Sequence, residues 1–114
     1  MIDVTEVASN ILKSLKQDVE TYFKRPLGNL RTVITVPIYY SDEQKVAMQQ
    51  STAMAGLHCM RVLSEPTAAC VAAGYDQTEQ EMRVIVFDFG ESNFHITVLQ
   101  VENGNIQVEG YNSN

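Results

Sequence analysis

Thr32-Val33-Ile34-Thr35-Val36-Pro37, then the segment from Ser41-Asp42-Glu43-Gln44 to Ala55-Gly56, then Met60-Arg61-Val62-Leu63, decide the fold of this chain. The first stretch is β-branched throughout and stops at a proline, which has no N–H to give a sheet ladder, so it reads as a buried strand. Ser41 and Gln44 stand at capping-box spacing with Asp42 and Glu43 in the first turn, and Gly56 closes the helix after Ala55. Met60 to Leu63 supplies a second short apolar strand. Strand, helix and strand in that order make a βαβ unit, for which a right-handed parallel crossover is expected.

Upstream, Asp3 and Glu6 have capping-box spacing, and Val4, Val7, Ala8, Ile11, Leu15, Val19, Tyr22 and Phe23 recur at helical intervals. The spacing predicts an amphipathic helix over residues 4–25, with Lys24 and Arg25 at the negative end of its dipole and Pro26 and Gly28 stopping it. Downstream, Ser64 caps a third helix, Pro66 is tolerated in its first turn, and four small residues, Ala68, Ala69, Ala72 and Ala73, precede Gly74. Asp76 to Glu81 is a polar connector. Beyond it the period changes: Val84 to Phe87 is a continuous apolar strand, Phe94 to Val101 is another, and Asn103-Gly104 is a strong hairpin signal. Ile106, Val108 and Tyr111 then fall on one face of a third strand. The fold class is α/β: a βαβ unit with flanking helices, followed by an antiparallel β meander, with the division near residues 76–82.

With 114 residues, 45% of them hydrophobic, the chain has material for one small domain or for part of a larger one. The net charge of −6 is unevenly placed: residues 1–75 hold seven acids and seven bases, whereas residues 76–114 hold seven acids and the single base Arg83. No Lys/Arg stripe offers a footprint for nucleic-acid phosphates, so no nucleic-acid partner is expected. The apolar runs are far shorter than the roughly 20 residues a membrane helix needs, so no membrane partner is expected. Met1-Ile2-Asp3-Val4 has neither the basic nor the apolar region of a secretory signal, which makes a cytoplasmic location the default. Two cysteines, Cys59 and Cys70, in such a chain read as reduced thiols.

Two acidic positions are candidates for chemistry. Glu65 opens a helix that follows a strand, where a carboxylate either complements the helix dipole, worth up to about 1 kcal/mol, or serves a site. Asp88 ends an apolar strand and enters the turn Phe89-Gly90-Glu91-Ser92-Asn93, a place suited to a metal or its waters beside a phosphate, although Asp and Gly also favour turns generically. His58, Cys59, Cys70 and His95 lack the paired spacing of a zinc site. No nucleophile elbow, Walker A loop or dinucleotide fingerprint is present.

The succession Val33-Ile34-Thr35-Val36-Pro37-Ile38-Tyr39-Tyr40-Ser41-Asp42-Glu43-Gln44, Ala55-Gly56-Leu57, Arg61-Val62-Leu63-Ser64-Glu65-Pro66-Thr67-Ala68-Ala69 and Val86-Phe87-Asp88-Phe89-Gly90 resembles the nucleotide-binding domain of the seventy-kilodalton heat-shock chaperones. The resemblance implies a partial actin-like, ribonuclease-H-like ATPase fold. Residues 1–76 would be the later half of the first-lobe core, and residues 83–114 the opening meander of the second lobe. It further implies ATP or ADP with magnesium as the cofactor. Glu65 would help position the attacking water and hydrated magnesium, and Asp88 would serve the magnesium and phosphates, with Gly90, Ser92 and Asn93 lining the phosphate turn. Pro37 would belong to an allosteric relay toward a substrate-binding domain, with Lys45 in place of the family's arginine, which keeps the charge but loses the bidentate fork.

The chain departs from the family where phosphate would sit. The family reads D-L-G-G-G-T-F-D; here the same places are Asp88-Phe89-Gly90-Glu91-Ser92-Asn93-Phe94-His95. Lost glycines narrow the backbone's approach to phosphate. Glu91 adds a charge whose repulsion at 4 Å is about 1 kcal/mol in water and roughly 4 at an effective dielectric of 20. Weak or absent nucleotide binding follows, and with no first phosphate loop, catalytic lysine or adenine lobe these residues are expected not to hydrolyse ATP alone. The leading reading is a fragment of an ATP-dependent chaperone domain for protein folding and stress response, meeting co-chaperones and clients through a full-length parent. The alternative is a non-catalytic relative acting as a protein-interaction module. A two-stranded first-lobe sheet would leave open edges, so self-association is expected.

Overall fold

A computed structural model describes residues 3–113. The chain divides into two compact units between Val62 and Leu63. Compactness thus groups the third helix with the meander, ahead of the sequence-based division near residues 76–82.

In the first unit, helix α1 spans Val4–Phe23. The Asp3 carboxylate accepts from the Thr5 N–H at 3.4 Å, while the Glu6 N–H goes to the Asp3 carbonyl at 3.0 Å, so Asp3 caps without the expected Glu6 box. The helix stops short of residue 25 because Lys24 turns left-handed, with φ 57° and ψ 34°. The Lys24 N–H then reaches the Thr21 carbonyl and the Arg25 N–H the Glu20 carbonyl, each at 3.2 Å, which closes the helix end before Pro26 is reached.

Strand β1, Arg31–Val36, leads to helix α2, Asp42–Met54, and then to strand β2, His58–Ser64. The two strands are hydrogen-bonded neighbours in one sheet. The expected capping box forms: Ser41 Oγ accepts from the Gln44 N–H at 3.2 Å, and Gln44 Oε1 from the Ser41 N–H at 2.8 Å. β1 departs from the buried strand that its composition implies. It alternates, with Val36 buried and Val33 54% exposed, because successive side chains of a strand point to opposite faces.

The contact between α1 and α2 also departs from expectation. The apolar stripe Val4, Val7, Ile11, Leu15 and Tyr22 lies exposed, while Ser9, Ser51 and Thr52 are buried. Small side chains let the helices approach closely, and their hydroxyls are satisfied locally. Ser9 donates to the Glu6 carbonyl at 2.8 Å, Thr52 to the Met48 carbonyl at 2.7 Å, and Ser51 reaches both the Ala47 carbonyl at 2.8 Å and, across the helix pair, the Thr5 carbonyl at 3.1 Å.

In the second unit, helix α3, Glu65–Ala72, and a short 3-10 turn at Tyr75–Gln77 precede strands β3, Met82–Phe89, β4, Phe94–Glu102, and β5, Asn105–Ser113. The sheet is antiparallel in the order β3-β4-β5. Leu99, Val101 and Thr97 of β4 are buried, and their partners Val84, Met82 and Val86 on β3 share that face. Helix α3 packs against β3 and β5, burying Pro66 and Cys70. Ile106, Val108 and Tyr111 pair with Val101, Leu99 and Thr97, so all three do fall on one face. Their spacing breaks strict alternation, and the irregularity opposite Val98 and Leu99, which leaves Glu109 unmatched, restores it. The opposite face carries Ile85, Phe87 and Phe89, 55%, 58% and 76% exposed.

The Asn103-Gly104 turn has positive φ at both residues, 50° and 79°, as a type I′ hairpin requires. A Cβ at Gly104 would also run into the backbone carbonyl of Asp76. Gly104→Ala should therefore lower the stability of the second unit by about 2 kcal/mol, combining backbone strain with overpacking, and urea unfolding checks this. A second expectation concerns pH. Burial pushes the Cys70 thiol above its ordinary value. Since the folded state holds the proton more tightly, stability is intact below the unfolded thiol value of about 8.5 and falls as pH rises beyond it, by at most about 1.4 kcal/mol per pH unit. Cys70→Ala should flatten that difference in an alkaline stability series.

Candidate functional site

Glu65 is the first residue of α3, immediately after β2, and is half-buried. Ser64 takes the extended N-cap conformation, with φ −69° and ψ 147°, but its hydroxyl does not cap the helix backbone. It shares a 2.8 Å hydrogen bond with the Thr67 hydroxyl instead, and Pro66 in the first turn has no N–H to offer. The Glu65 carboxylate thus sits at the positive end of the helix dipole beside a short hydroxyl pair.

Asp88 does not end its strand. β3 continues through Phe89, and Asp88 is an exposed residue paired with His95 across the ladder. Phe89 stays in the strand because it pairs with Phe94, their rings 4.5 Å apart. Asp88 lies on the same face of β3 as Val84 and Val86, the face against which α3 packs, so Glu65 and Asp88 belong to neighbouring elements of one unit.

Gly90, Glu91, Ser92 and Asn93 form an exposed turn. It closes on itself: the Gly90 N–H donates to the Asn93 carbonyl at 2.8 Å. Gly90 does not occupy the left-handed region, and a Cβ built there would meet the Asn93 carbonyl oxygen at 3.4 Å, an ordinary contact. A loop that cradles phosphate turns successive N–H groups outward; here the first is used internally and Glu91 stands beside it. Among the described residues, no group of three or more His, Cys, Asp or Glu side chains converges on a metal-sized position. Glu65 and Asp88 thus bring two carboxylates to neighbouring elements of one unit, fewer than a three-ligand metal group.

Pro37 and Lys45 belong to the first unit, and Glu65 and Asp88 to the second. Pro37 follows β1 directly, and its carbonyl accepts from the Tyr40 N–H at 3.1 Å, turning the chain toward α2. Lys45, half-buried in α2, donates its backbone N–H to the Ser41 carbonyl at 3.0 Å. Sequence reasoning did not single out the ion pair of Arg83, whose Nε lies 3.1 Å from Glu109 Oε2. With Arg83 72% exposed, the pair contributes little to stability. It engages the one basic side chain between residues 76 and 114 and leaves the net charge of that segment unchanged.

The chain is similar to known proteins over nearly its whole length. A family model described as Hsp70 protein matches residues 2–114. The chaperone protein DnaK of Cenarchaeum symbiosum is 39% identical over 103 residues, covering 90% of this chain and 15% of the relative. The chaperone protein dnaK1 of Synechocystis sp. is 40% identical over 103 residues, covering 90% and 15%. The chaperone protein DnaK of Thermotoga neapolitana is 38% identical over 103 residues, covering 90% and 17%. The chain thus spans between 15% and 17% of the length of these relatives.

The geometry of the 90–93 turn yields its own expectation. Gly90→Ala should change stability by less than about 0.5 kcal/mol, as an exposed surface substitution without backbone strain. The comparison is with Gly104→Ala in the same unit, measured by the same urea unfolding.

Proposed function

The chain belongs to the Hsp70 protein family, and from that premise we propose that its residues form part of the nucleotide-binding domain of an ATP-dependent molecular chaperone that serves protein folding. The observation that carries this reading is the family match over residues 2–114. On this reading the fold is a portion of the actin-like ATPase fold, with residues 1–76 from the first lobe and residues 83–114 from the second. Glu65 and Asp88 are its acidic residues toward hydrated magnesium, and Gly90, Ser92 and Asn93 belong to its phosphate turn. Pro37 and Lys45 belong to a relay toward a substrate-binding domain. ATP and ADP are the parent's cofactors, co-chaperones and client proteins its partners, and the cytoplasm and the stress response its setting. The open edges of the two-stranded β1–β2 sheet leave room for a second copy.

These residues do not hydrolyse ATP alone. What they supply is positioning: two carboxylates held at a helix start and on a strand, on elements that pack together. When bound in an intact family member, the magnesium nucleotide supplies the phosphoryl chemistry. A second reading, a non-catalytic interaction module, is favoured by one observation, the self-closed turn bearing Glu91.

Calorimetric titration of the purified chain with ATP and magnesium tests both readings. The first expects weak, magnesium-dependent heat that disappears in Asp88→Asn, without phosphate release above background. Micromolar binding accompanied by turnover would overturn it. Heat absent at every nucleotide concentration would favour the interaction module.

A further inference from the structure

Residues 103 and 104 form the one Asn-Gly pair in the sequence, and they stand at the tip of the β4–β5 hairpin. We propose that Asn103 is a self-modification site: it loses its side-chain amide through attack by the Gly104 backbone nitrogen, and the isoaspartyl product cannot hold the hairpin turn.

The reaction needs no partner beyond water. The Gly104 nitrogen forms a bond to the Asn103 Cγ and gives up its proton to solvent base, while the side-chain nitrogen leaves as ammonia. A five-membered cyclic imide results. Water then opens the ring at either carbonyl. Attack at Cγ gives aspartate; attack at the backbone carbonyl carbon gives isoaspartate, whose main chain runs through Cβ and Cγ. Asparagine is among the thermally labile residues, and the side chain that follows it governs access to the attacking nitrogen. Gly104 has no Cβ to shield that nitrogen. The other asparagines that precede a residue are followed by Ile11, Leu30, Phe94, Ile106 or Ser113, each of which carries a side chain. Asn103 is also exposed.

The hairpin cannot absorb the product. The loop between Glu102 and Asn105 consists of Asn103 and Gly104 alone, and both hold positive φ. Isoaspartate adds one carbon to that backbone, so the strand ends can no longer meet in a type I′ turn. Gly104 lies so close to the Asp76 carbonyl that even a Cβ does not fit, which leaves the lengthened turn nowhere to move inward. The new carboxylate also adds to a segment with seven acids and one base. The Glu102–Asn105 and Val101–Ile106 pairs should open first, uncovering Val101, which is fully buried in the intact hairpin.

The test incubates the intact chain in mildly alkaline buffer, separates charge variants by ion exchange, and maps the altered residue by fragmentation that distinguishes aspartate from isoaspartate. Expected are one dominant acidic variant with the change at Asn103, and its complete loss in Asn103→Gly, which keeps a Gly-Gly turn of the same type. The isoaspartyl fraction should unfold at lower urea than Asn103→Asp, which adds the charge without the extra carbon. Amide loss at other asparagines in equal amount, or persistence of the acidic variant in Asn103→Gly, would refute the site. An isoaspartyl fraction as stable as Asn103→Asp would refute the structural consequence.

Discussion

Strand β4 is the constraint on which the second unit rests. It is paired on both sides, with β3 along residues 94–101 and with β5 along residues 95–102, so residues 95–101 are fixed by two neighbours. Its alternate residues Thr97, Leu99 and Val101 are the most deeply buried of the sheet, and burial of a side chain such as Leu99 is worth about 2 kcal/mol. The register cannot slip by one residue without turning this row out to water and turning Ile96 and Val98 in. The type I′ turn pins one end of the register, and the irregularity opposite Val98 and Leu99 lets β5 keep its apolar residues on the same face. The face on which Asp88 lies follows from this register, because His95 on β4 is its partner.

The elements of the fold were legible in the sequence because each carries a local signal that does not depend on the rest of the molecule. The capping box at Ser41 and Gln44, the proline after Val36 and the Asn103-Gly104 turn each settle a boundary through backbone chemistry. Less legible was which face of an element would be covered. The stripe on α1 has the right period, yet the helix meets α2 through Ser9 and near Thr5, since hydroxyls already satisfied by their own helix carry little desolvation cost and occupy little space. Periodicity records which side of a helix is apolar, and close approach between helices follows side-chain size as well. The end of α1 was hidden for a similar reason: a left-handed lysine is not a residue type that marks a terminus.

The candidate site was legible in part. Glu65 stands at the start of a helix, as its sequence context implies, because strand, serine and proline together leave few alternatives there. Asp88 was misplaced by its neighbours: Asp and Gly argue for a turn, whereas pairing between Phe89 and Phe94 extends the ladder past it. Aromatic cross-strand pairs contribute roughly 0.2–1 kcal/mol, enough to carry a strand one residue further against a generic turn preference.

Packing and surface chemistry separate in this chain along a physical line. The segment Ser64 to Cys70 sets α3 on the sheet: Pro66 and Cys70 are buried, and Ser64 bonds Thr67. Changes at the buried Pro66 and Cys70 would disturb that packing. Residues 90–93, by contrast, are exposed and close a turn through a single backbone hydrogen bond. Little in the fold resists substitution at such positions, so a scaffold of this kind can keep its architecture while the surface that would face phosphate changes its charge. The fold and the site are therefore under different constraints, and likeness in the first carries no guarantee of the second.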